Sequence, residues 1–411
     1  MTSKRQNLLL IFAVLSALYL LSQFYRVSNA VIAPDLTRDL GLNAGTLGIL
    51  GGAFFYSFAL IQIPMGPMLD RIGPRLVVSY SVLLGAFGAF LFGMGGSFTT
   101  VLIGRILIGV GMASVMVGAM KVFVLSFSPE KFATLLGTLV GIGTLGNILA
   151  TSPLAYFSSV VGWRMTFIFA GAVTTLLAFL SLWILGVEVK GGEEHHPDPS
   201  IKQGIGIFKQ IQIVLRSLSF WQIGCVGFFR YGTFIALQGL WLGPYLMEIK
   251  GYSPVQAGNM LILAAVGSII GGPVAGRLSD QFSHSRKEVT WVGLSLYCVS
   301  LFPLTGILEI RNPVWLGIVF FSIGFFTSFG LLVFSHAKDL FPVSISGTVT
   351  TFVNFFTMAG GAVFMPLLGK VIESFPRTGT SYPSEAYHLA FLICFLGMSA
   401  SLIFYAFSRR R

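Results

Sequence analysis

Long apolar stretches dominate the sequence, and short polar or charged segments separate them. A transmembrane helix needs about 20 mostly apolar residues to cross the hydrocarbon core. Windows of that length predict twelve spans. The predicted spans are residues 8–33, 45–66, 75–96, 99–123, 133–157, 164–187, 218–247, 256–276, 289–309, 313–336, 345–372 and 387–408. The alternating strands of an outer-membrane barrel would not give such continuous apolar runs. The pattern therefore predicts an all-α integral membrane protein with twelve transmembrane helices.

The longest polar stretch, residues 188–216, divides the predicted spans six and six. We therefore predict an N-terminal six-helix bundle over residues 1–187, a cytoplasmic linker over 188–216 and a C-terminal six-helix bundle over 217–411. His195 and His196 are adjacent in the linker, but two ligands alone rarely hold a metal ion. We interpret them as part of a solvated linker and expect neither a metal nor a cofactor.

Composition supports the membrane class, because 55% of the residues are hydrophobic and only 10% are charged. Soluble domains carry about 25% charged residues. With both termini in the cytoplasm, sixteen of the 26 lysines and arginines lie in cytoplasmic segments and six in outer ones, as the positive-inside rule requires. This distribution explains the net charge of +11 without a nucleic-acid partner. We expect a monomer in the lipid bilayer of a bacterial inner membrane.

The two halves of the sequence share a short motif. Gly66 precedes Asp70 by four residues near the end of the second span, and Gly276 precedes Asp280 by four near the end of the eighth. The basic residues beside these motifs are Arg71, Arg75 and Arg277. Parallel six-helix repeats, related by a pseudo-two-fold axis, are one architecture of secondary transporters. The repeat therefore places the two loops at equivalent ends of the two halves.

Four basic residues interrupt the apolar runs, where a charge is costly and often functional. They are Arg26, Arg105, Lys121 and Arg230. No Asp or Glu lies near the middle of a predicted span, so we predict that the substrate carries the compensating negative charge. Arg26 and Arg230 lie in the first and seventh spans, which are equivalent in the two halves. The repeat then places them opposite each other across a central cavity, and two guanidinium groups suit a phosphate or carboxylate. Alternatively, each arginine bonds carbonyls of a neighbouring helix.

Other polar and aromatic residues are weaker candidates for the same site. Those predicted to contact substrate are Tyr25, Tyr56, Gln62, Tyr231, Gln238, Trp241 and Asn354. Lys121 either lines the inner half of the pathway or extends to the lipid headgroups. Arg105 is interpreted as a brace between helices that contributes to gating. His336 is the candidate for proton coupling, with a structural role as the alternative.

Three short patterns make the chain similar to transporters of the major facilitator superfamily. Residues 66–75 resemble the superfamily's G-x-L-a-D-r-x-G-r-k loop, Arg105 begins an R-x-x-x-G-x-G pattern in the fourth span, and Gly162-Trp163-Arg164 precedes the sixth span. The resemblance covers nearly the whole chain. It implies alternating access between two bundles, with the loops around Asp70 and Asp280 as cytoplasmic gates and Asp70 bracing the halves on that side.

Within the superfamily, two branches share the first-span arginine. The segments around Tyr25-Arg26 and Arg230-Tyr231 resemble those that hold phosphate in organic-phosphate/phosphate antiporters, although Gln62 stands where those proteins tend to have a lysine. Arg26 and Gln62-Ile63-Pro64 also resemble the sugar-acid/proton symporters, in which an aspartate occupies the position of Tyr25. Without that aspartate, exchange of one anion for another is the expected coupling mode.

The sequence thus predicts a secondary active transporter that moves a small organic anion, a phosphate ester or a carboxylate, by alternating access and anion exchange. The first alternative is a proton-coupled symporter of a sugar acid or carboxylate. The second is a non-transporting membrane receptor that senses an anionic metabolite. An enzyme is not expected, because no predicted span holds paired acids, a Ser/His couple or a metal-ligand cluster.

Overall fold

The computed structural model describes residues 2–188, 207–281, 286–308, 310, 312–342, 345–377 and 381–408, which are helical with short connections and no β-strand. The helices before the linker are α1 (Thr2–Val27), α2 (Asn29–Leu40), α3 (Ala44–Arg71), α4 (Pro74–Met94), α5 (Phe98–Ser126), α6 (Pro129–Leu149) and α7 (Ser152–Glu188). The later ones are α8 (Ile207–Arg216), α9 (Leu218–Ala236), α10 (Leu242–Pro244), α11 (Pro254–Gln281), α12 (Arg286–Leu301), α13 (Pro313–Thr327), α14 (Leu332–Leu340), α15 (Ser346–Glu373) and α16 (Ser384–Ala406).

Shorter helical segments continue some of these helices. Two π-helical segments, Leu237–Trp241 and Tyr245–Ile249, flank α10. Two 3-10 segments, Phe302–Thr305 and Ser328–Leu331, follow α12 and α13. The seventh and tenth predicted spans are therefore helical throughout, but the backbone hydrogen bonds change from the α-helical to the π-helical or 3-10 pattern within them.

Eleven helical stretches of the described chain are long and apolar enough to cross a membrane. A twelfth apolar helix, Thr134–Leu149, is shorter than the others. The prediction of an all-α integral membrane fold is confirmed. The shortest of these twelve apolar helices lies in the predicted fifth span.

The predicted bounds of the fifth span, 133–157, are wrong. Helix α6 ends at Leu149, and the chain from Ser152 onward belongs to α7. Pro153 lies in the first turn of α7, where a missing N–H removes no intrahelical hydrogen bond. In the middle of one continuous helix over 133–157, the same proline would remove a hydrogen bond and break the helix. Helix α7 itself changes direction at Gly162, whose φ of 83° is a left-handed backbone conformation that favours glycine.

The first span is also divided differently from the prediction. Helix α1 ends at Val27 and α2 begins at Asn29, although apolar residues continue through this point. Side chains compete here for the carbonyls of the helix, since the Ser28 hydroxyl donates to the Tyr25 carbonyl over 3.2 Å. Hydrogen bonds of this kind interrupt the regular i to i−4 pattern and end or bend helices.

Two compact units can be distinguished in the chain. The first contains the residues up to Leu42 and from Leu50 through α7, and the second contains Asn43–Ile49 and the helices from α8 onward. Within the first unit, α4 packs along α5 and α7, and within the second, α9 packs along α15 and α11 along α13. Of the predicted linker, residues 189–206 lie outside the described residues, and 207–216 form helix α8.

Small residues allow these close helix contacts. A Cβ atom added at Gly88 of α4 would lie 2.7 Å from the Gly104 carbonyl oxygen of α5. One added at Gly360 of α15 would lie 2.1 Å from the Phe228 carbonyl oxygen of α9. Without side chains at these positions the backbones approach each other directly, which is the usual basis of helix association in membranes.

Candidate functional site

Arg26 lies in the last turn of α1, in the first unit. Its side chain is 8% exposed, and its Cζ atom lies 4.5 Å from the centroid of the Phe58 ring on α3. An aromatic face attracts a guanidinium, with a larger gain where water is excluded. Phe58 therefore fixes the direction of the Arg26 side chain without neutralising its charge.

A second arginine holds the backbone at Arg26. Arg105 of α5 is fully buried, and its Nη1 donates to the Tyr25 carbonyl over 2.7 Å. Its Nη2 donates to the carbonyl of Arg26 itself over 3.4 Å. These carbonyls lie at the end of α1, where the regular helical donors are lost. Arg105 thus supplies the donors that the interrupted helix needs, a geometry that suits the predicted brace.

Arg230 lies in the second half of α9, in the second unit. Its side chain is 5% exposed, and its Cζ atom lies 5.6 Å from the centroid of the Tyr231 ring. Its buried Nε atom has no hydrogen-bond partner among the described residues. An arginine presents five N–H donors and stays protonated in proteins. Burial of such a group without a carboxylate among its described neighbours is costly.

Each arginine lies near a buried tyrosine–threonine pair. In the first unit, the hydroxyl oxygens of Tyr25 and Thr174 are 3.0 Å apart, and Thr174 donates to the carbonyl of Ala170. In the second unit, those of Tyr297 and Thr233 are 2.9 Å apart, and Thr233 donates to the Arg230 carbonyl. The tyrosine in each pair therefore donates to the threonine oxygen.

Several residues predicted to contact substrate use their polar groups inside their own unit. The hydroxyl of Tyr25 pairs with Thr174, the Gln62 amide donates to the Ala113 carbonyl over 3.0 Å, and the Trp241 indole donates to the Met365 carbonyl over 3.1 Å. The other predicted residues differ in exposure: Tyr56 is 49% exposed, Gln238 is buried, and Tyr231 and Asn354 are half-buried. A role for any of them in binding substrate stays a prediction.

The prediction that the basic groups lack acidic partners is wrong for Lys121. Its Nζ lies 2.8 Å from Oδ1 of Asp70, so the two side chains form an ion pair between α5 and the end of α3. Lys121 is 51 residues from Asp70 in sequence and lies little more than one turn from the end of α5. From there its long, flexible side chain reaches Asp70.

The remaining gating candidates lie at helix ends. Asp70 and Arg71 are exposed at the end of α3, and Asp280 and Arg277 lie in the last turns of α11, with Asp280 exposed. Arg75, at the start of α4, donates from Nε to the Leu182 carbonyl of α7 over 2.9 Å. These positions agree with the shared motif, and the gating role stays a prediction.

His336 of α14 is buried, and its Nδ1 lies 2.8 Å from the hydroxyl oxygen of Tyr405 on α16. The two rings are perpendicular, with centroids 5.6 Å apart. A histidine held in this way links two helices of the second unit. The contact gives a structural reason for this residue that is independent of proton coupling.

Sequence reasoning missed three residues that shape the surroundings of the two arginines: Phe58, Thr233 and Gly330. Phe58 is one of 39 phenylalanines, and Thr233 is an ordinary helix residue three positions after Arg230. A Cβ atom at Gly330 would lie 2.6 Å from the Nε of Arg230. One signal was available, since Thr233 and Arg230 share one face of α9 at a spacing of three residues.

Comparison with known proteins identifies the family. The Major Facilitator Superfamily model matches residues 15–366. The chain is 26% identical to the probable sulfoacetate transporter SauU of Cupriavidus necator, over 95% of this chain and 92% of that one. It is 25% identical to a probable hexose phosphate transport protein of Chlamydia trachomatis, over 92% and 88%. A crystal structure of a bacterial homologue of the human lysosomal transporter Spinster has a TM-score of 0.76 and 18% identity, over 99% and 96%.

The chain belongs to the Major Facilitator Superfamily. It is a membrane transporter and not an enzyme, as the sequence predicts. The solved structure supports the same fold over nearly the whole chain.

Proposed function

We propose that this transporter carries a small organic anion, a phosphate ester or a carboxylate, and that Arg26 and Arg230 both bind it. The observation that carries the proposal is the burial of the Arg230 side chain without a partner for its charge among the described residues. This side chain is buried in a membrane-spanning helix and makes no hydrogen bond or ion pair with the described residues. A guanidinium of this kind is costly when empty and binds phosphate or carboxylate through two parallel hydrogen bonds.

The relatives support a negatively charged substrate. One is named for sulfoacetate and another for hexose phosphate, and both are organic anions. The two substrates differ in their charged groups, a sulfonate with a carboxylate in one and a phosphate in the other. Charge is their common property, which agrees with recognition by arginines rather than by a pocket for one carbon skeleton.

We favour exchange of one anion for another as the coupling mode. The sequence has no Asp or Glu near the middle of a predicted span, and His336 bonds to Tyr405 inside the second unit. A carrier that returns only when loaded needs no titrating group of its own. The placement of both termini in the cytoplasm of a bacterial inner membrane belongs to the same proposal and is supported by the distribution of lysine and arginine.

Counterflow into proteoliposomes tests this function. Vesicles loaded with glucose 6-phosphate, sulfoacetate or a dicarboxylate are diluted into a trace of the same labelled anion. We expect uptake by the wild-type protein without a pH gradient, and a loss of about 100-fold in Arg26→Gln and in Arg230→Gln, since each removes a charged partner of a desolvated anion. Arg216→Gln is the matched control, because Arg216 is exposed at the end of α8.

The outcomes separate the possible functions. Normal counterflow by both arginine variants would contradict the binding site. Uptake that needs an inward proton gradient and stops with a protonophore would replace exchange by proton symport. Binding of these anions, measured as a thermal shift, without any counterflow would indicate a receptor.

A further inference from the structure

The tenth predicted span changes its helical type beside Arg230. Helix α13 ends at Thr327, the four residues Ser328–Leu331 form a 3-10 segment, and α14 begins at Leu332. A 3-10 segment inside a longer helix is uncommon and often marks a functional position. We call Ser328–Leu331 the 3-10 segment of span ten.

Neighbouring helices hold this segment in place on two sides. The Ser328 hydroxyl donates to the Ser268 carbonyl of α11 over 3.0 Å. The ring of Phe329 is buried against Gly293 of α12, where a Cβ atom would lie 2.2 Å from the ring. Phe329 also belongs to a buried apolar cluster with Ala275 and Leu332. The backbone of the segment therefore has little freedom to move away from a new contact.

Gly330 of this segment lies directly against the side chain of Arg230. A Cβ atom added at Gly330 would lie 2.6 Å from Nε, 2.8 Å from Cδ and 3.0 Å from Cγ of Arg230. Distances this short cannot be accommodated without movement. Since the segment is held by Ser328 and Phe329, the side chain of Arg230 is the part that must change position.

From these contacts we infer that Gly330 is a positioning residue for anion binding, because the space left by its missing side chain sets the conformation of Arg230. The inference rests on the proposed function, since it assigns to Gly330 a role in the site that Arg230 provides. The packing at Phe329 and Ser328 keeps Gly330 in place, and Gly330 in turn determines where the guanidinium of Arg230 lies. No contact between Gly330 and the anion is needed.

The substitution Gly330→Ala tests this role, and Gly272→Ala is its matched control. Both glycines belong to the second unit, and an added Cβ at Gly272 would meet no atom within 4 Å. The first measurement is the rate at which phenylglyoxal modifies Arg230 in the purified protein, followed by peptide mass spectrometry without any anion. We expect Gly330→Ala to change this rate at least about threefold, because the guanidinium leaves its rotamer, and Gly272→Ala to leave it unchanged.

The second measurement uses inorganic phosphate, glucose 6-phosphate and sulfoacetate as probes. For the probe that protects wild-type Arg230 from phenylglyoxal, we expect Gly330→Ala to weaken protection about fivefold to tenfold. In the background of Arg230→Ala, where Cγ, Cδ and Nε are gone, Gly330→Ala should cause no further change in the melting temperature measured without a probe. Such non-additivity distinguishes positioning of Arg230 from a general effect on the fold.

Each outcome decides a different point. If no probe protects wild-type Arg230, the proposed function fails, while the modification rate still tests Gly330. An Arg230 modification rate that Gly330→Ala and Gly272→Ala leave equally unchanged would overturn the positioning role. If Gly330→Ala does not fold, folding of Gly330→Ala/Arg230→Ala would support the contact with Arg230. Failure of both variants to fold would assign Gly330 to packing and overturn the inference.

Discussion

The two units each carry one of the two arginines that we propose bind the anion, but they hold it by different means. In the first unit, the backbone of Arg26 lies at the end of α1, and Arg105 donates to its carbonyl. In the second unit, Arg230 lies inside the continuous helix α9, and its side chain rests against Gly330. One arginine is thus fixed through hydrogen bonds to its main chain, and the other through the space available to its side chain.

This difference shows that equivalent positions in a repeat need not be maintained by equivalent neighbours. Arg105 satisfies carbonyls that the break after Val27 exposes, so its charge serves the structure of the first unit. The buried Nε atoms of both Arg105 and Arg230 lack a partner among the described residues, but Arg105 donates from its Nη atoms to two backbone carbonyls, whereas we propose that the charge of Arg230 serves a ligand. The bonds from the Nη atoms thus distinguish an arginine that holds the fold from one that we propose binds the substrate.

The largest expected effect comes from replacing Arg105 and Arg230, each in turn, with methionine. Arg105→Met removes the donors to Tyr25 and Arg26, and unsatisfied buried carbonyls cost about 1–3 kcal/mol. We expect it to lower the free energy of unfolding by that amount. Arg230→Met removes a buried charge that no described acid neutralises, so it should raise the melting temperature measured without anions, although transport is lost.

Thermal unfolding of the detergent-purified variants measures this contrast. Arg216→Met, at an exposed position, is the control and should leave the melting temperature unchanged. A decrease of similar size for Arg105→Met and Arg230→Met would contradict the distinction, because both arginines would then stabilise the fold.

The sequence predicts much of the fold but only part of these surroundings. Apolar length alone located the transmembrane helices, and a charge within an apolar run identified Arg26, Arg230 and Arg105. The break after Val27 could not be predicted, because it depends on hydrogen bonds from the Ser28 hydroxyl and from Arg105 to backbone carbonyl oxygens. Every residue has such an oxygen, so the sequence does not mark the ones that are used.

Contacts between distant residues were missed for a related reason. Lys121 pairs with Asp70 across two helices, and nothing in their sequence spacing distinguishes this pair from other basic residues near Asp70. Gly330 has no side chain whose chemistry could mark it among 49 glycines. Its inferred role depends on a 3-10 segment that is held by contacts with α11 and α12.

A smaller effect is expected from the two tyrosine–threonine pairs, which are similar in the two units. Tyr25→Phe and Tyr297→Phe each remove one buried hydrogen bond, which contributes about 1 kcal/mol to stability. The threonine keeps its own bond, to Ala170 in the first unit and to Arg230 in the second. We therefore expect equal losses in the free energy of unfolding.

Chemical denaturation of the two variants tests this equality, with Tyr156→Phe as a control at an exposed position. Adding Thr174→Val to Tyr25→Phe should cost less than the sum of the single changes, because both remove the same bond. Additive losses would show that the hydroxyl groups do not interact. Clearly unequal losses for Tyr25 and Tyr297 would extend the difference between the units to these pairs.

The smallest expected effect concerns a hydrogen bond from an aromatic side chain to a carboxylate. Each unit has one, to an acidic residue that follows Arg26 or Arg230 in the sequence. In the first unit, Oδ2 of Asp39, at the end of α2, accepts a hydrogen bond from the Trp163 indole over 2.9 Å. In the second, Oε2 of Glu248 accepts one from the Tyr387 hydroxyl, also over 2.9 Å. In both units an acid after the arginine-bearing helix is thus held by an aromatic donor from the last long helix.

The pH dependence of stability tests this contact in the first unit. The hydrogen bond from Trp163 and the nearby Arg38 lower the pKa of Asp39. A lowered pKa in the folded state stabilises the protein above the ordinary pKa of about 3.9, and this contribution is lost as the pH falls through the lowered value. Asp39→Asn should therefore have a lower melting temperature than the wild-type protein at pH 7, and the difference should shrink below about pH 4.

Burial raises the pKa of Asp35 on the same helix, so Asp35→Asn should shift the melting temperature in the opposite direction at pH 7. A decrease for Asp39→Asn that is the same at pH 7 and pH 3.5 would mean that the carboxylate charge makes no contribution, and that Trp163 holds α2 by packing alone.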